Sequence, residues 1–322
     1  MSRTKKIMLA VALISVVAGL IIFTATLFSV GFDFSVLDMS EYETNVYKIG
    51  EEFNSISINT ETADIIFVPS DNGECKVICS EAEDMKHSVS VKDGALVIEV
   101  VNDREWYGYI SLFNFGKEKI TVYLPKSEYK SLVIDADTSD INIPKDFKYE
   151  SIDISVSTGD VSNYATCAGS VKIKTSTGDI CAENISAHSL DLEVSTGSID
   201  LMNVSCAGDI SIIVSTGDVS ITDVTSDNLF TSGNTGEITL KRFIAVNKLS
   251  IERSTGDVEL YGCDAGEIYI ETSSGDVEGT VLTDKTFIAD SSSGDIDIPR
   301  ETRGGRCYVK TSSGDIDLWI KK

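Results

Sequence analysis

Carboxylates recur in this sequence at a fixed distance from glycine. Carboxylates in such rows can hold a hard cation through several oxygens, or act in pairs as acid and base on a glycosidic bond. Directly after a recurring glycine stand Asp160, Asp179, Asp218, Glu237, Asp257, Asp276, Asp295 and Asp315, with Ser198 the one break. Over the last four recurrences a second acidic position follows two residues later, at Glu259, Glu278, Asp297 and Asp317. Residues two apart on a strand share a face, so Asp257, Glu259, Asp276, Glu278, Asp295, Asp297, Asp315 and Asp317 form a two-by-four array if these segments stack, with about 5 Å between neighbours. Like charges at that spacing repel, and Ca²⁺ would relieve the repulsion. The competing reading is local: an Asp beside a turn accepts backbone N–H bonds, and solvated carboxylates need no ion. The Gly-Gly-x-Gly-x-Asp nonapeptide of calcium-binding β-rolls does not occur in the sequence. No cofactor or metal is therefore expected, and Ca²⁺ on those eight acids is the alternative.

The elements that carry these acids are set by a repeat. A Ser-Thr-Gly-Asp-Val/Ile signature has its glycine at Gly159, Gly178, Gly197, Gly217, Gly236, Gly256, Gly275, Gly294 and Gly314, 19 or 20 residues apart. Two residues after it every position is Val or Ile, from Val161 to Ile316; seven before it the column is apolar, from Ile152 to Cys307. Apolar and polar residues alternate on either side, as in Val171-Lys172-Ile173-Lys174-Thr175, so two short strands flank a tight turn. A unit this short cannot bury its apolar side alone; the units must stack, each on the next. The expected fold class is all-β: a single-stranded β-solenoid of 19-20-residue coils. Residues 132–322 form the regular repeats and 53–131 a less regular β-rich start, in which Ala63 and Ser139 stand at the glycine position. Lys92-Asp93-Gly94-Ala95 reads as a hairpin turn. The C-terminal Leu318-Trp319-Ile320-Lys321-Lys322 is expected to cover the last coil.

Positions 7–30 carry no charge, follow Arg3, Lys5 and Lys6, and precede Asp33, Asp38 and Glu41. That length suits a transmembrane helix and exceeds the apolar region of a cleaved signal peptide. The basic flank predicts a cytoplasmic tail over 1–6, a single-pass membrane helix over 7–30, a juxtamembrane spacer over 31–52 and an extracellular remainder. The 51 Asp and Glu exceed the 27 Lys and Arg, for a net charge of −24, and with three of the basic residues before position 7 the exterior part carries −27. That excludes nucleic acid, whose phosphates need clustered cations. A 42% hydrophobic composition excludes disorder.

These units, the strand Ile120-Thr121-Val122-Tyr123-Leu124-Pro125-Lys126 and the N-terminal apolar segment resemble the bacterial domain-of-unknown-function family labelled "putative adhesin". The resemblance covers about residues 53 to 320. It implies a β-solenoid of the bacterial cell envelope, in some members tied to envelope stress, and it brings no catalytic residues.

The remaining motifs are read plainly. The hydroxyl columns, such as Ser157-Thr158 and Ser176-Thr177, form side-chain ladders; an ice-binding or polymer-docking face is the alternative. The seven cysteines, at 75, 79, 167, 181, 206, 263 and 307, fall in different columns and read as small buried apolar residues, without stacked disulfides. Cys75 and Cys79 share a strand face but have no further ligands nearby in sequence. The stretch Trp106 to Phe115 is the one aromatic cluster and reads as a cap over the open end, with a membrane, sugar or partner contact as the alternative. No nucleophile elbow, zinc motif, Walker loop or dinucleotide fingerprint is present. The expected function is non-enzymatic: a membrane-anchored surface rod presenting a long face to a wall polymer or surface protein. The alternatives are a glycan-acting enzyme using carboxylates such as Asp276 and Asp295, and a calcium-binding spacer.

Overall fold

The computed structural model describes residues 3–29, 42–82, 85–102, 118–300 and 303–321. The repeat folds as its periodicity requires. Before each turn glycine runs a strand of one long wall, among them Lys148–Thr158, Ser170–Thr177, Ser189–Thr196 and Asp209–Thr216, paired in parallel and in register. After it the chain enters a second wall, through Val161–Asn163, Ile180–Glu183 and Ile199–Cys206. A third short side, including Thr166–Cys167 and Ser186–Ala187, closes the cross-section. Alternation sends every second side chain inward, so Ile154, Ile173, Leu192 and Ile212 stack down one wall and Val161, Ile180, Ile199 and Val219 down the other, all buried. Each such side chain contributes about 2 kcal/mol, and only with a neighbouring coil in place.

Some inward positions break this pattern, Arg253 among them. Arg253 is buried, donates from Nη1 to the Val214 carbonyl at 2.7 Å, and occupies space freed by Gly233 in the preceding coil. A Cβ on Gly233 would lie 1.9 Å from Nη1 and 1.8 Å from the Val214 oxygen, so the two residues form a matched pair.

The coils do not stack in sequence order throughout, which corrects the expectation that each pairs with the next. The C-terminal coil, Gly305–Ser313 with Ile316–Ile320, inserts between the coil of Glu267–Ser274 and Val277–Val281 and that of Lys285–Ser291 and Ile296–Asp297. The chain's last strand is thus inside the stack, and Ile296–Asp297 lies at the end that Leu318 to Lys322 were expected to cover. Electrostatics favours this order. Sequential stacking would set Glu271 beside Asp290 in one outward column; insertion places Lys310 between them, paired with Glu271 at 3.1 Å. A buried latch holds it. Lys285 reaches past Gly304-Gly305 of the inserted coil to the Asp264 carboxylate at 2.5 Å and the Ala265 carbonyl at 2.7 Å.

The N-terminal end shows the mirror arrangement. Ser55–Thr60 pairs with Ala95–Asn102 on one side and Glu128–Thr138 on the other, and Asp64–Pro69 lies between Lys119–Leu124 and Ile141–Ile143. Ala63 and Ser139 do occupy the glycine column, with the Ser139 hydroxyl donating to the Ala63 carbonyl at 2.6 Å. Antiparallel strands then extend both walls: Met85–Lys92, joined to Ala95–Asn102 by the expected turn with Asp93 and Gly94 at positive φ, and Cys75–Ala82 followed by Tyr42–Ile49. The expected spacer over 31–52 therefore contains a strand of the sheet. The aromatic segment from Trp106 to Phe115 lies outside the described residues.

The N-terminal segment Arg3–Ser29 is a helix of 27 residues. Ile14, Val16, Val17, Leu20, Ile21, Ile22 and Phe23, which together encircle it, are exposed. Among the described residues no helix is long and apolar enough to cross a membrane, in contrast to the transmembrane helix that the sequence predicts over 7–30.

The latch yields a prediction. Lys285→Met strands the Asp264 carboxylate in the interior, and the account expects a loss of about 3 kcal/mol, read as a lower urea midpoint of the purified chain. Adding Asp264→Asn should recover most of it. An unchanged midpoint in the single variant would remove the latch.

Candidate functional site

The turn that carries the acidic column is built from backbone. Each recurring glycine has a positive φ, and its α-carbon presses on a carbonyl one coil away, that of Ser139 for Gly159 and of another recurring glycine for the rest. A Cβ at Gly217 would lie 1.9 Å from the Gly197 oxygen. This close approach aims the backbone N–H of the next residue along the rod, toward the carboxylate stacked below it. The Asp179 N–H donates to Asp160 Oδ1 at 2.8 Å, Ser198 to Asp179 at 2.6 Å, Glu237 to Asp218 at 2.8 Å and Asp276 to Asp257 at 2.8 Å. Where the residue is Glu237, the longer side chain turns aside and accepts from the Thr239 hydroxyl instead.

The eight acids first considered for a cation are all outward, in an order changed by the insertion. Asp276 accepts from the Asp315 N–H at 2.8 Å, and Asp315 from the Asp295 N–H at 2.7 Å, so the column runs Asp257, Asp276, Asp315, Asp295. Its companion runs Glu259, Glu278, Asp317, Asp297. Asp276 and Asp295, the pair considered for glycan hydrolysis, are thus separated by an intervening coil. Asp257, Asp276 and Asp315 each spend an oxygen on a backbone N–H, and Glu259 accepts from the Tyr261 hydroxyl.

The structure singles out a different surface. Six residues before the turn glycine, the outward column of the long wall reads Asp191, Ser211, Phe230, Ser250, Tyr269, Tyr308 and Ile288 in spatial order. Charged residues give way to aromatic and apolar ones, and Phe230 and Ile288 are 40% and 42% exposed. Tyr269 and Tyr308 stack with centroids 5.3 Å apart and planes within 10°. Ser250 leaves a notch between Phe230 and Tyr269, and Lys248 Nζ stands in it, 5.9 Å from one ring centroid and 5.5 Å from the other. Arg306 covers Tyr308 at 5.5 Å. The Tyr269 hydroxyl donates to Glu271, which pushes the phenol up to about 12. That bond, with Lys310 adding to it, holds Glu271 below the usual carboxylate range. Aromatic faces bordered by fixed donors and acceptors can stack on a sugar ring and bond its hydroxyls.

These residues stand in a column that varies from coil to coil, so the invariant glycine and acidic positions of the repeat do not mark them. The adjacency of Tyr269 and Tyr308 had no local signal: 39 positions separate them, and only the inserted coil brings them together. The seven thiols behave as the sequence suggested, free and largely buried, with burial raising Cys307 to about 12.

Stacked coils, a backbone-capped acidic edge and an outward aromatic patch define an all-β solenoid repeat protein. The particular family follows from sequence: residues 53–213 and 207–322 each match the profile of Toastrack DUF4097, and the chain belongs to that family. Solved structures are similar. A protein described as a putative adhesin from Parabacteroides distasonis is 11% identical, with a TM-score of 0.50 over 87% of this chain and 98% of that one. A putative adhesin from Bacteroides fragilis is 15% identical, with a TM-score of 0.44 over 87% and 97%. A putative lipid binding protein from Parabacteroides distasonis is 16% identical, with a TM-score of 0.49 over 88% and 98%. Such identities speak to fold alone. No curated protein matches the chain.

Proposed function

We propose that this protein is a membrane-anchored, non-enzymatic rod at the cell surface, and that the patch around the Phe230–Tyr269 notch docks a glycan of the cell wall. The observation that carries the reading is the notch itself. Phe230 and Tyr269 stand two coils, about 9.6 Å, apart with the buried Ser250 between them and Lys248 over both rings, so a sugar ring would take the place of Lys248. Lys248 and Glu271 supply hydrogen bonds at its margin, while the −24 net charge keeps the rest of the surface from adsorbing anionic polymers. The adhesin description of structural relatives agrees with a binding role, and the acids of the turn column serve the backbone rather than a cleft.

For the anchor, the support is the sequence: positions 7–30 carry no charge and follow Arg3, Lys5 and Lys6. The orientation that follows is a cytoplasmic N-terminus and an extracellular solenoid.

Two measurements decide these readings. In co-sedimentation with isolated cell-wall glycan, the full chain in detergent should bind saturably, and Phe230→Ser with Tyr269→Ser should weaken binding by about tenfold or more. Equal binding by the variant would remove the notch from the account. Expressed in bacteria, the full chain should resist alkaline carbonate extraction from membranes and a chain lacking residues 1–30 should not; extraction of the full chain would overturn the anchor.

A further inference from the structure

At the N-terminal end of the rod three side chains with metal-binding atoms meet in the interior. Cys79 and Glu81 lie two apart on the strand Cys75–Ala82 and so share its inward face; His87 comes from Met85–Lys92. Their exposures are 0%, 0% and 2%. A sulfur, a carboxylate oxygen and a ring nitrogen, one from each, lie within 4.8 Å of one another, the one such trio among the described residues. The thiol missing its partners in sequence finds them in space.

We propose that Cys79, Glu81 and His87 bind a zinc-class divalent cation. Sulfur, nitrogen and oxygen together suit Zn²⁺ rather than Ca²⁺, which takes oxygen. Outer groups already orient the ligands. His87 Nδ1 faces Glu81 Oε2 at 2.7 Å, while its Nε2 lies 2.9 Å from the buried Thr60 hydroxyl. Glu81 Oε1 accepts from Asn45 Nδ2 at 2.8 Å, and Oε2 also accepts from the His87 backbone N–H at 2.7 Å. A second partner on the far atom of His87 and of Glu81 is what metal sites use to fix ring orientation and tautomer. Charge agrees as well. The cation would displace the hydrogen between Nδ1 and Oε2, which part from 2.7 Å to about 3.3 Å to hold it; His87 then donates Nε2–H to Thr60, Cys79 gives up its proton, and a water completes the four-coordinate shell. Dication, thiolate and carboxylate sum to zero, as a buried site requires. Without the metal, burial and the Glu81 charge push the thiol up to about 12, so it stays protonated.

The test uses the full chain in detergent, stripped with a chelator and dialysed against Zn²⁺ or Co²⁺. One metal per chain is expected, with a thiolate-to-Co²⁺ charge-transfer band that Cys79→Ala abolishes and Cys75→Ala keeps. Thr60→Val, which leaves the three ligands in place, should lower zinc affinity by about tenfold. A correctly melting chain that binds no zinc would overturn the proposal, and so would Co²⁺ binding without the charge-transfer band or zinc binding unaffected by Cys79→Ala.

Discussion

The structure depends on one backbone contact, the α-carbon of a turn glycine against the carbonyl of the glycine one coil away. A side chain there would overlap that oxygen, as the 2.1 Å from a Gly178 Cβ to the Gly159 oxygen shows. The contact fixes the spacing of the coils at the turn, and the parallel ladders of both walls keep that spacing around the circuit. With spacing set, inward side chains meet in columns and the interior fills with Ile, Val and Leu. The neighbouring carboxylates become part of the backbone's own hydrogen bonding, so an acidic row that resembles a ligand site is in large part a structural edge. The overlap at the turn and the loss of stacked apolar surface act together, since a coil that shifts at one loses the other.

A solenoid so regular leaves its ends as the places where the rule must be broken. At both ends the terminal coil of the repeat is tucked one step in: Lys285–Ser291 and Ile296–Asp297 become the outer edge at one end, and at the other antiparallel strands, with Tyr42–Ile49 and Met85–Lys92 at the edges, extend the walls past Ala95–Asn102 and Lys119–Leu124. At the C-terminal end the same move builds the surface patch. Tyr308 comes to Tyr269 and Lys310 to Glu271, and Lys285 can lock the arrangement because two glycines leave it a path. Stability and the proposed recognition surface therefore share a cause.

Much of this was legible in the sequence. The spacing of nine glycines and the flanking apolar columns were enough for the coil, and Ser139 and Ala63 took the column positions that alignment gave them. The Asp93-Gly94 hairpin was readable because its turn needs positive φ at both residues. What could not be read was order. Most coils present similar inward columns, so a stack with Gly305–Ser313 inserted buries apolar residues as well as the sequential one, and the orders are distinguished by outward charges such as Glu271, Lys310 and Asp290 and by the buried Lys285. The cluster of Cys79, Glu81 and His87 was hidden for a related reason: it forms across two antiparallel strands in the irregular region, where no repeat supplies a register.

The order of the last coils is the claim on which the patch rests, and hydrogen exchange read by peptide fragments tests it most directly. Amides in Gly305–Ser313, flanked by strands on both sides, should exchange as slowly as those of Glu267–Ser274, and amides in Lys285–Ser291, on the outer edge, should exchange faster. Slow exchange in Lys285–Ser291 with fast exchange in Gly305–Ser313 would contradict the account, because that is the signature of coils stacked in sequence order.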